Sequence, residues 1–130
     1  MSMSVLLRRA LIVDALASGL TGALMLAGGR VLAQMLGLPT ALLQGAGLVL
    51  IPYVAFVAIV AVRAHIAVPA VWAVIACNAV WTVASFALLI DGFATPTTLG
   101  TVFVIGQALA VAALGALQYV ALCRPRAVLA

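Results

Sequence analysis

The chain has 130 residues, of which 68% are hydrophobic and 6% charged, with a formal net charge of +4 at pH 7. Soluble domains are about 45–50% apolar and about 25% charged, and a fold this small has too little interior to hide the surplus. The composition therefore excludes a soluble domain and predicts an all-α membrane protein with one domain over residues 1–130. All six basic residues are arginines, and the two acids are Asp14 and Asp91. No basic run exceeds Arg8-Arg9, so the charge reads as a topology signal and nucleic acid is excluded as a partner.

In chain order, a short head, Met1–Arg9, precedes a first apolar span over residues 10–27, which ends at Gly28-Gly29 before Arg30. Positive residues followed by an apolar run also describe a signal peptide, but Asp14 and three further spans favour an uncleaved helix. Val31–Leu38 is apolar yet far short of the ~20 residues a crossing needs. It reads either as an interfacial turn of helix, stopped by Gly37 and Pro39, or as a tilted continuation of the first helix.

The second span covers residues 41–62, with Pro52 near its centre, where the missing amide hydrogen is expected to kink the helix. Arg63, His65 and Pro69 mark a tight turn, and the third span follows over 70–90. Asp91-Gly92 opens the next loop, in which Thr95 is positioned to cap a helix that starts at Pro96. The fourth span covers roughly 97–122 and stops at Arg124-Pro125-Arg126. Short loops make successive helices neighbours, giving an antiparallel bundle of four transmembrane helices.

With the N-terminus in the cytoplasm, Arg8, Arg9, Arg63, Arg124 and Arg126 lie inside and Arg30 lies outside with Asp91. That asymmetry predicts an N-in/C-in orientation. Abundant Ala, Val, Leu, Gly and Arg without lysine suits a GC-rich bacterial genome, so the expected location is the bacterial inner membrane, as a multi-pass protein.

Polar residues inside the spans are the candidates for function. Asn78, Trp81, Thr82 and Ser85 fall at i, i+3, i+4 and i+7 and so share one helix face. Asp14, Ser18, Thr21 and Met25 form a stripe on the first span, flanked by a small-residue row of Ala15, Gly19, Ala23 and Ala27 that suits close helix approach. Gln107 and Gln118 lie in the fourth span. Counting helical rise suggests layers of Asp14 with Gln118, Ser18 with Asn78 and Thr21 with Thr82. An intramembrane acid is a functional candidate by default. Asp14 also has a structural reading, through pairing with Arg8, Arg9, Arg63 or Arg124 or through the positive end of its helix.

The other polar residues either fix register through interhelical hydrogen bonds, worth about 0.6 kcal/mol each, or line a cavity for a small amphipathic ligand. Trp72 and Tyr119 suit an interfacial aromatic belt, whereas Trp81 is too deep for one and its indole N–H needs a partner. No metal site is expected, because His65 is the only histidine, and a disulfide between Cys77 and Cys123 is not expected. No nucleophile has a histidine base at helical spacing and no phosphate-binding glycine loop follows a strand, so neither enzyme activity nor a cofactor is expected. The glycines Gly37, Gly45 and Gly47 are assigned to close packing.

Asp14…Gly19…Gly22, then Leu36-Gly37-Leu38-Pro39…Gly45…Leu48, Asn78…Trp81 and Leu99-Gly100…Gln107-Ala108…Leu117-Gln118 together cover most of the chain. This pattern resembles a group of small four-helix proteobacterial inner-membrane proteins. The resemblance implies the four-helix arrangement and carries no activity. Three functional expectations follow from the polar residues. The leading one is an accessory or structural subunit of a larger membrane complex, partnered by lipid and other membrane subunits. The second is a small homo-oligomeric transporter or channel with Asp14 as its ionisable residue. The third is a binder of lipid, quinone or pigment with a pocket near Trp81.

Overall fold

The computed structural model describes residues 4–91 and 95–123; the head residues 1–3, Gly92 and the Arg124-Pro125-Arg126 stop lie outside the described residues. The described chain is helical throughout its regular structure: α1 (Val5–Ala27), α2 (Gly29–Leu36), α3 (Thr40–Val62), α4 (Val68–Ile90) and α5 (Thr98–Cys123). Every helix but α2 is long and apolar enough to cross a membrane. At about 1.5 Å per residue, a 23-residue helix is about 35 Å long, against a hydrocarbon core of about 30 Å.

Local chemistry sets the boundaries. The first helix begins at Val5 rather than near Ala10, because the Ser4 hydroxyl accepts from Leu7 N at 3.1 Å and caps it. Arg8 and Arg9 are thus helical. Gly28 ends α1 and α2 is an element of its own, so the first helix does not continue past Arg30. Gly37 closes α2 in the left-handed region at φ 68°, which glycine adopts without strain. The helix α3 runs unbroken through Pro52, and Pro69 occupies the first turn of α4, where a missing N–H costs nothing.

The α5 start corrects the sequence expectation. Thr97, not Thr95, provides the cap: its hydroxyl oxygen accepts from Gly100 N at 3.1 Å. The reason is tertiary. Thr97 also donates through its hydroxyl to Met35 O at 2.8 Å and through its amide to Leu36 O at 2.9 Å, so the end of α2 fixes where α5 begins. Gly100 permits this closeness, since a Cβ there would collide with the Leu36 carbonyl oxygen.

The long helices associate as two pairs, α1 with α3 and α4 with α5, joined mainly where α1 meets α5. By contrast, α3 and α4 scarcely touch. Close approach in the first pair uses Gly22 against Gly47: a Cβ on Gly47 would lie 3.1 Å from the Gly22 carbonyl oxygen. The expected small-residue row therefore divides, with Ala23 and Ala27 exposed and Gly22 facing α3 instead. One apolar cluster centres on Leu7, Leu11, Val57, Val71, Val74 and Ala121, and a second on Met25, Leu36, Leu43, Leu50 and Val104. Each joins side chains from both helix pairs. Arg8 anchors the first pair by donating to the carbonyl oxygens of Ala61 and of Arg63, which end α3 without helical partners.

Candidate functional site

Four polar side chains from four helices converge in the interior: Asp14 on α1, Tyr53 on α3, Asn78 on α4 and Gln118 on α5. Asp14, Asn78 and Gln118 are 1%, 4% and 0% exposed, a degree of burial that leaves no room for unpaired polar atoms. Every one of them is paired. The Asp14 Oδ2 atom accepts from Gln118 Nε2 at 2.7 Å, Tyr53 Oη at 2.8 Å and Asn78 Nδ2 at 3.0 Å, while Oδ1 accepts from Ser18 Oγ at 3.1 Å. Asn78 Nδ2 spends its other hydrogen on Gln118 Oε1 at 2.9 Å. Tyr53 Oη also lies 2.9 Å from Asn78 Oδ1, and its single hydrogen serves either that atom or Asp14.

A second group sits further along α4 and α5. Trp81 Nε1 donates to Gln107 Oε1 at 2.7 Å, which supplies the partner its depth demands. Gln107 Nε2 donates to Ser85 Oγ and to the Val104 carbonyl, both at 2.9 Å. Ser85 Oγ in turn donates to the Trp81 carbonyl at 2.7 Å.

The structure therefore gathers Asp14, Ser18, Asn78 and Gln118 into one group and Trp81, Ser85 and Gln107 into another. Of the expected layers, Asp14 with Gln118 is a direct contact. Ser18 reaches Asp14 rather than Asn78. Thr21 and Thr82 do not meet: each donates at 2.8 Å to a carbonyl of its own helix, Ala17 and Asn78 respectively. Short hydroxyl side chains satisfy themselves this way when no partner is near. Asp14 has no cationic partner among the described residues; its donors are all neutral, and Arg8 is engaged with α3 carbonyls.

Tyr53 is the residue that sequence reading missed. It follows Pro52 near mid-span, too deep for an interfacial belt, so the reasoning that gave Trp81 a required partner applies equally to its hydroxyl. At the other extreme, Trp72 and Tyr119 are exposed and stack edge-on at 5.6 Å between ring centroids. Cys77 and Cys123 are both free thiols.

Beside the polar groups lies a cavity of about 680 Å³, where α3 and α4 fail to meet. This is within the range of about 300–1,000 Å³ typical of small-molecule sites. Its walls are the exposed faces of α3 (Val49, Pro52, Phe56) and α4 (Ala76, Val80, Ala84), so it opens sideways between those two helices. Ala17 and Thr21 of α1 and Ala110, Val111 and Leu114 of α5 line it further. Ser18, Tyr53, Asn78, Trp81 and Gln107 give this apolar cleft its polar side chains, drawn from both hydrogen-bonded groups.

Comparison of the chain with protein-family models, curated proteins and solved structures gave no match in any of the three. The cleft and its polar edge therefore carry the functional argument by themselves. No group of three or more His, Cys, Asp or Glu side chains suited to a metal ion occurs among the described residues.

Proposed function

We propose that this chain is a non-catalytic multi-pass membrane protein that binds a small, largely apolar molecule drawn from the bilayer into the cleft between α3 and α4. The observation that carries the reading is a ligand-sized cavity with apolar walls, a few convergent polar groups and an opening on faces otherwise suited to lipid. A molecule dissolved in the membrane reaches such an opening without crossing water.

The orientation belongs to the same reading. Four antiparallel spans with both termini in the cytoplasm put Arg8, Arg9, Arg63, Arg124 and Arg126 inside, against Arg30 outside. The bacterial inner membrane suits that bias and the composition. An accessory-subunit role calls for an exposed face that another chain covers, and Val80, Val83 and Ile90 of α4 offer one. Lipid covers such a face equally well, so the cleft is the more specific feature. A transport role for Asp14 calls for a path to it, whereas its four side-chain donors already occupy both carboxyl oxygens.

Native mass spectrometry of protein purified in mild detergent tests this reading, with Ala110→Phe placing a ring in the cleft. The expected result is a small-molecule adduct on the wild type that the folded variant lacks. An adduct equally abundant on both proteins, or a bare wild type after lipid supplementation, contradicts it. A stoichiometric second polypeptide without any adduct turns the assignment to an accessory subunit.

A further inference from the structure

We infer that the molecule bound in the cleft is neutral and carries a hydroxyl group that it donates to the protein: a long-chain or isoprenoid alcohol, or a phenol. This rests on the binding role proposed above and follows from the hydrogens available along the cleft.

Among the polar side chains lining it, each N–H and O–H is already engaged. Ser18 donates to Asp14, Thr21 to the Ala17 carbonyl, and Trp81 to Gln107. The two amide hydrogens of Asn78 go to Asp14 and Gln118, and those of Gln107 to Ser85 and the Val104 carbonyl. The Tyr53 hydrogen is claimed by two acceptors at once. Pro52, on the wall, has no amide hydrogen at all. The one uncommitted donor is the Cys77 thiol, and S–H is a weak donor.

Acceptors, in contrast, remain. Among the described residues no donor uses the lone pairs on the Ser18 and Thr21 hydroxyl oxygens, and Gln107 Oε1 accepts only from Trp81. Within the central group the single Tyr53 hydrogen lies between two acceptors, Asp14 Oδ2 and Asn78 Oδ1.

A ligand that only accepts, such as a quinone, finds no strong donor without breaking one of these bonds and stranding its partner in an apolar medium. An anionic headgroup finds no cation there, since no arginine among the described residues lines the cleft. A hydroxyl matches. Its hydrogen goes to a waiting acceptor, and the rest of the molecule fills apolar space.

The test is a matched series of one hydrocarbon skeleton: farnesol, farnesal and farnesyl methyl ether, titrated against purified protein in detergent. Binding is read from Trp81 emission in a Trp72→Phe background, with Ala110→Phe as the blocked control. One hydrogen bond corresponds to a preference of about three- to tenfold for the alcohol over both the ether and the aldehyde. Equal binding of all three, lost in Ala110→Phe, overturns the hydroxyl inference and leaves the cleft as a site. Tighter binding of farnesal overturns it more strongly, because the cleft then donates. No binding by any probe, or binding unchanged in the blocked variant, removes the cleft reading itself.

Discussion

The Asp14 group and the cleft beside it lie within one fold and face the same problem of polarity in an apolar medium, yet resolve it differently. Around Asp14, four helices bring donors to a carboxyl group until each of its oxygens is occupied. Along the cleft the N–H and O–H donors are equally committed, but among the described residues lone pairs on Ser18, Thr21 and Gln107 stay unused, and α3 and α4 stand apart. The contrast teaches that burial depth alone does not mark a site. The most buried polar residues, Asp14 and Gln118, bond to other side chains of the bundle. The half-buried ones, Tyr53, Trp81 and Gln107, look both ways, into the packing and into the cleft.

The comparison breaks most severely at Asp14. Asp14→Leu strips the acceptor from four donors at once and is expected to cost about 2–4 kcal/mol, since some donors find new partners in the membrane. Detergent-induced unfolding in bicelles, followed by circular dichroism, measures it; a loss below about 0.5 kcal/mol contradicts the stabilising role of these bonds.

Gly100→Ala comes next, at about 2–3 kcal/mol, because the new methyl must displace backbone at Leu36 and so detach α2 from α5. Gly106→Ala is its control. A Cβ there meets nothing within 4 Å, so the change is neutral or stabilises by up to about 1 kcal/mol through helix propensity. The two alanine variants differing by less than about 1 kcal/mol in the same assay removes the α2–α5 contact from the account.

Tyr53→Phe sharpens the comparison, since Tyr53 belongs to both regions. It is expected to cost about 1 kcal/mol of stability, as one hydrogen bond does. Ser18→Ala removes a single donor to Asp14 at the edge and is expected to cost less, near the average of about 0.6 kcal/mol for such bonds. If Ser18→Ala proves the costlier of the two, the assignment of Tyr53 as the bridge between network and cleft fails.

Much of this organisation is legible in the sequence because lipid restricts the choices. Apolar length locates the four long helices, and the polar residues set in them identify most of both groups. The Trp81 indole shows how far the argument reaches: depth alone requires a partner, and Gln107 on another helix supplies it. What stays hidden depends on contacts between helices. Thr95 looks like a cap until the end of α2 pins Thr97. Ala23 and Ala27 look like a continuation of the packing row of Ala15 and Gly19 until Gly47 selects Gly22. Arg8 looks like a partner for Asp14 until the open carbonyls of α3 engage it. The cleft is the least legible feature, because it arises where two consecutive long helices do not pack, and no residue pattern records a missing contact.

A high-resolution structure of the wild-type protein in nanodiscs of total bacterial lipid extract tests the central claim most directly. The account predicts α3 and α4 apart, density for a small molecule between them, and a ligand oxygen within hydrogen-bonding distance of Ser18, Thr21, Tyr53 or Gln107. Closure of the two helices, with Val49 and Phe56 packed directly against Ala76 and Val80, contradicts it.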